Sequence, residues 1–169
     1  MDNLTLLKNI VSRFVAGQAG KGSADIVFSS DNGKNKIILP VVPADLPEFT
    51  APQNNSTFSG VLADMSVIGT LGLRSCSFDF FAPVNPRKYP FGRPLGSGAL
   101  EILDFLDKTQ REKIPARIVI VYVNGATYIN MPCLINSFTY RVDRVGDYFF
   151  KVDLIEYPIL SSKTGGIVF

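Results

Sequence analysis

The stretch LINSFTYRVDRVGDYFFKVDLIE, residues 134–156, decides the fold. In 134–143, Leu134, Phe138, Tyr140 and Val142 alternate with Ile135, Ser137, Thr139 and Arg141; in 147–155, Tyr148, Phe150, Val152 and Leu154 alternate with Asp147, Lys151 and Asp153. Period-two alternation places successive side chains on opposite faces of a strand. Gly146, between the halves, is a natural turn residue. The reading is a long antiparallel hairpin with one aromatic face.

Upstream, residues 116–124 (ARIVIVYVN) are apolar with little alternation, as in a strand covered on both faces. Asn124-Gly125 then forms a turn into TYINM. Residues 98–108 predict a helix: Ser97 is the expected N-cap, and Ala99, Ile102, Leu103 and Leu106 share a face widened by Leu100 and Phe105. Residues 73–82 (LRSCSFDFFA) alternate as a half-buried strand, and APVNPRKYPFGRPLGSG after it is too rich in Pro and Gly for a regular element. Residues 24–28 and 36–42 read as strands joined by SSDNGKN, while 43–59, rich in Pro, Asn, Ser and Thr, reads as a long loop. The sum is a β-rich α+β fold, an antiparallel sheet curling into a barrel or sandwich with one packed helix.

At the N-terminus, Leu4, Leu7, Val11 and Phe14 recur at spacings of three and four, predicting an amphipathic helix over 2–15, with GQAGKGS (17–23) as a linker. Such a helix packs on its own domain or docks as an arm on a neighbour. The organisation expected is a helical arm and linker over 1–23, a β-rich domain over 24–160 and a flexible tail over 161–169.

The chain has 169 residues, the size of one domain. A net charge of +2 is too balanced to imply nucleic-acid or membrane-surface binding, and no apolar run has the length of a membrane helix. The acidic start Met1-Asp2-Asn3 does not read as an export signal. Cys76 and Cys133 are expected to be buried free thiols in a reducing compartment, a single bridge between them being the alternative.

Histidine is absent. That removes the commonest general base and transition-metal ligand, and the acids are scattered along the chain. GQAGKGS lacks the spacing of a phosphate loop, and Asp143, Asp147 and Asp153 lack that of a calcium loop. No enzyme activity, cofactor or metal is expected. RKYPFGR (87–93) interleaves aromatics with basic residues. Such a pattern can bind single-stranded nucleic acid, but Tyr, Phe and Arg also enrich protein interfaces. Tyr89, Phe91 and Arg93, with Leu4, Leu7, Val11 and Phe14, are therefore the candidate partner-contact residues.

Over roughly residues 36–160 the chain resembles the N-terminal domain of the LysM-type inner baseplate proteins of contractile phage tails and phage-tail-like particles. The carrying segments, in order, are IILPVVPADLPEF; IGTLGLRSCSFDFFAP with YP beyond it; LEILDFLDKTQREKIPARIVIV; and INMPCLINSFTYRVDRVGDYFFKVDLIEYPIL. The closing pattern maps to Ile129, Asn130 and Met131, then Phe138 and Tyr140, then Val145, Gly146 and Asp147, then Glu156 and Tyr157. The chain also resembles Dit-like tail proteins. It departs from the LysM-type pattern by stopping at Phe169 without a LysM module and by its added N-terminal helix. The resemblance implies a structural baseplate component of the virion, assembled in the host cytoplasm as a ring against tube or hub, sheath-initiator or wedge proteins. A distal-tail adaptor or carbohydrate-binding module of a tail tip is the alternative. The loops 43–59 and 83–97 are expected at subunit interfaces.

Overall fold

The computed structural model describes residues 24–30, 33–122, 126–161 and 166–168. The predicted helix over 2–15, and with it Leu4, Leu7, Val11 and Phe14, lies outside the described residues, as does the Asn124-Gly125 turn.

The fold is built on a seven-stranded sheet. Its strands are β1 (Ala24–Ser30), β2 (Asn35–Ile38), β3 (Glu48–Thr50), β6 (Ser75–Ala82), β7 (Ala116–Tyr122), β8 (Thr127–Val142) and β9 (Tyr148–Glu156). They lie in the order β2-β1-β7-β8-β9-β6-β3, every neighbouring pair antiparallel. Two small ribbons stand apart from the sheet: β4 (Ser56–Ser59) with β5 (Asp64–Val67), and β10 (Ile159–Ser161) with β11 (Gly166–Val168).

The ladder does not close into a barrel, because β2 and β3 remain its two edges. It nonetheless bends far enough for β1 to face β6, four places away: the rings of Phe28 and Phe78 stack at 6.3 Å with 4° between their planes. Phe28, Ile118, Met131, Phe150 and Val152 are fully enclosed in the concavity. β7 is covered on both faces as its sequence predicts, with Ile118 and Ile120 in the main core and Val119 and Val121 in a second small cluster.

The single described helix, α1 (Ala99–Arg111), begins one residue later and ends three later than its periodicity predicts. Its cap is Gly98, with no side-chain cap bond. Ser97 falls one residue before the cap; it is buried, and its backbone N–H donates to Ile38 O at 2.8 Å. Ala99, Ile102, Phe105 and Leu106 face the core; burying a large apolar side chain such as Ile102 or Leu106 is worth about 2 kcal/mol. Leu100, assigned to that face from sequence, is exposed.

The aromatic hairpin is β8–β9, with one correction to its phase. A register shift between Ile135 and Ser137 leaves Asn136 unpaired. This bulge moves Ile135 onto the core side while Leu134 is only half-buried, so the strand does not keep one parity through its length. The turn is made by Asp143, whose Oδ1 accepts the N–H groups of Val145 (2.8 Å) and Asp147 (2.9 Å), and by Gly146 at φ 86°.

Candidate functional site

The Pro-rich segment 83–98 is irregular, as its composition predicts, but it is pinned rather than loose. Arg93 N–H donates to Pro40 O at 2.8 Å, extending the hydrogen bonding of the β2 edge. The Arg93 guanidinium goes inward: Nε lies 2.5 Å from Asp25 Oδ1 and Nη2 donates to Ala24 O at 2.6 Å. Burial pushes the Asp25 carboxyl above its usual range, against the pull of the Arg93 charge and hydrogen bond. Arg93, read from sequence as a surface contact, is thus an internal anchor and presents no side chain to a partner.

At the other side of the segment, Asp147 is fully enclosed. Burial alone would raise its carboxyl; bonds from Lys88 Nζ (2.7 Å), Tyr89 Oη (2.7 Å) and Val84 N–H (3.2 Å) together hold it below the usual value. Tyr89 is half-buried by this attachment. Its ring stacks on the exposed Phe91 at 5.1 Å and meets Phe81 edge-on at 5.7 Å; Phe81 packs against Phe149, over which Arg141 lies at 4.4 Å. The structure therefore brings Tyr89 and Phe91 together in one outward-facing pile and takes Arg93 away from it.

Where β8 and β9 run past the core, their aromatic face is not fully covered. Tyr140 is 52% exposed and packs on Tyr148 and Phe150 at 5.9 Å and 6.2 Å. Tyr140, Val41 and Val42 border an open, mainly apolar groove of about 510 Å³ whose floor is the buried Phe80 and Phe150.

The largest outward feature lies in a stretch that sequence reading split between a loop and unassigned residues. From Ala51 to Ile68 every residue is exposed. This segment is a hairpin arm inserted between β3 and β6. Backbone bonds Gly72 N–H to Pro52 O and Asn54 N–H to Thr70 O, both 2.9 Å, close its base, and Gly60 N–H to Ala63 O (3.1 Å) closes its tip. Its root is fixed to the body. Arg74 binds the buried Glu156 through its guanidinium and through its N–H at 3.0 Å, and Glu156 N–H donates back to Arg74 O at 2.7 Å. The Arg74 hydrogen bond leads in drawing Glu156 below the usual carboxylate range.

The arm is amphipathic. Phe58 pairs with Met65 and Ser56 with Val67, so Phe58, Met65 and Val67 share one face, while Thr57, Ser59, Asp64 and Ser66 share the other. Val61 and Leu62 at the tip are as exposed as side chains become, at 103% and 99%. A lone two-stranded ribbon is marginal in water, and contiguous exposed apolar surface rimmed by polar residues marks an interaction site. The alternation of STFS and DMSV about Gly60 was the available signal; the surrounding Pro, Asn and Ser masked it.

The chain is similar to the uncharacterized protein YqbP of Bacillus subtilis (strain 168), with 27% identity over 140 residues, a match covering 80% of this chain. It spans 61% of that relative's length. No protein-family model matches.

The polar groups inside the fold serve its architecture. Cys76 and Cys133 are free and buried, as expected, and burial leads in pushing their thiols up to about 11 and about 12. Thiols so displaced stay protonated near neutrality and make poor nucleophiles. Among the described residues no group of three or more acidic or cysteine side chains is placed to hold a metal ion, and no helix is long and apolar enough to cross a membrane.

Proposed function

We propose that this protein is a structural subunit of a contractile-tail baseplate, forming a ring that contacts tube or hub, sheath-initiator or wedge proteins. One observation carries the reading: an amphipathic arm, bolted to a rigid sheet by Glu156, presents its whole apolar face and tip to solvent. A surface built this way is an attachment device. The ordered resemblance over residues 36–160 supplies the setting. The bent sheet serves as a half-open, sandwich-like scaffold that holds arm, aromatic pile and groove in fixed relation. Contacts between two different patches build a ring where the rotation from copy to copy closes.

The test is to tag the full chain in its source cell, isolate sedimenting tail particles and image them by cryo-electron microscopy. Tagged density at the end of the tail tube, between tube and sheath, is the expected result. Particles that lack the chain, or density confined to the capsid or to a sheathless adaptor, would sink the proposal.

A further inference from the structure

We infer that the groove beside Val41 and Val42 is the seat of this chain's own residues 2–15, whose apolar stripe closes it. The inference does not depend on the baseplate reading.

The groove is the point where the core runs out of cover. On the concave side of the sheet the register sets three rows across β6, β9 and β8: Phe78–Val152–Phe138, then Phe80–Phe150–Tyr140, then Ala82–Tyr148–Val142. The first row lies under β1, where Phe28 stacks on Phe78. Along β8 the cover then fails. Phe138 is half-buried, while Tyr140 is 52% and Val142 50% exposed. The charged neighbours Asp79, Lys151 and Arg141 stand on the opposite face by the same alternation, so the open strip itself is apolar. An apolar strip continuous with a core calls for an apolar cover.

The described chain starts beside this strip. Ala24, the first residue of β1, accepts from Arg93 Nη2 at 2.6 Å, and Arg93 N–H donates to Pro40 O at 2.8 Å. Val41 and Val42 follow Pro40 and border the groove. One residue thus clamps the start of β1 to the segment that walls the groove. Residues 17–23, with three glycines, can reach about 23 Å from Ala24.

The segment ahead of them has the matching pattern. Leu4, Leu7, Val11 and Phe14 recur as the anchors of a helix laid in an apolar groove, and at helical spacing Asp2 and Arg13 fall on the other side. The hairpin arm is not the occupant, because every residue from Ala51 to Ile68 is exposed. Attachment through seven residues gives the chain's own segment an effective concentration on the order of millimolar, well above that of the same segment on a free second copy.

The chain contains no tryptophan, so Phe14→Trp in the full chain is a single reporter. Its emission should be blue-shifted and shielded from acrylamide, at every protein concentration. Adding Tyr140→Ser/Val142→Ser, at positions already half exposed, should raise the undocked fraction about tenfold, with the circular dichroism of the sheet unchanged. A second measurement pairs Val142→Cys with Leu7→Cys or with Val11→Cys. The native thiols are buried, and mild oxidation should link the new pair within one chain. A tryptophan as open to acrylamide in the folded chain as in urea overturns the inference, as does a shielded one that ignores the groove substitutions. Shielding that grows with concentration, or disulfides formed only between chains, gives the groove to a neighbour's segment and overturns it too. So does the absence of a disulfide within the chain from both cysteine pairs.

Discussion

Arg93 Nε stands 2.5 Å from Asp25 Oδ1, with only 4% and 10% of the two side chains reaching solvent. The pair ties an irregular Pro-rich segment to the first strand of the sheet. Removing one member strands the other charge in a dry site, at a cost of about 3–5 kcal/mol, a large part of a domain's stability. Arg93→Ala should lower the urea midpoint accordingly. Asp25→Asn/Arg93→Met removes both charges and should recover more than half of the loss. Equal midpoints for Arg93→Ala and the native chain would show that the pair holds nothing.

The arm should open without the body. A Cβ on Gly69 would sit 1.4 Å from Asn54 O, inside the ladder that closes the arm's base. Gly69→Ala therefore cannot keep the bonds that Asn54 and Gly69 make across that base. Limited proteolysis should cut within residues 51–73 several times faster, while the stability of the body changes by no more than about 1 kcal/mol, since local openings decouple from the core. A coupled fall in both would mean that the arm is integral to the fold.

The sequence was readable where one physical rule governed a segment. Tyr148, Phe150, Val152 and Leu154 alternate because one side of β9 is wet, and Ala99, Ile102 and Leu106 recur because one side of α1 is dry. Reading broke down where a local rule met a tertiary demand. Asn136 bulges, which no alternation announces, and so Leu134 and Ile135 exchanged roles. Arg93 carries the charge of a surface residue and is sealed by Asp25, sixty-eight positions earlier in the chain. The arm was hidden by composition: its Pro, Asn and Ser read as loop, although Phe58, Met65 and Val67 mark one face.

The β8–β9 turn should tolerate no β-carbon without strain. Gly146 has φ 86°, in the left-handed region, with nothing within 4 Å of the place a Cβ would take. The cost of Gly146→Ala is then backbone strain alone, about 1 kcal/mol. Gly146→Asn should lose less, because Asn enters that region more readily. A thermal melt distinguishes them; equal loss for both would point to a steric cause instead.

Acid should loosen the molecule at three places together. Asp147, Asp153 and Glu156 all titrate below their usual range. Asp147 does so because the bonds from Lys88, Tyr89 and Val84 together outweigh burial, Asp153 through Ser137 and Ser77, and Glu156 through Arg74. A carboxyl whose folded value lies below its unfolded one leaves the unfolded chain holding more protons. Its contribution is therefore complete above the unfolded value of about 4 and is lost as pH falls through the folded value. Asp25 is displaced upward, so its contribution runs the other way, diminishing as pH rises through its window. The urea midpoint should be flat from pH 7 to about 5 and fall below about 4. Asp147→Asn should lower the midpoint at pH 7 and make the fall below about pH 4 shallower, because one of the three titrating groups is gone. A variant with an unchanged acid slope would show that the Lys88–Tyr89–Asp147 cluster does not couple protons to folding.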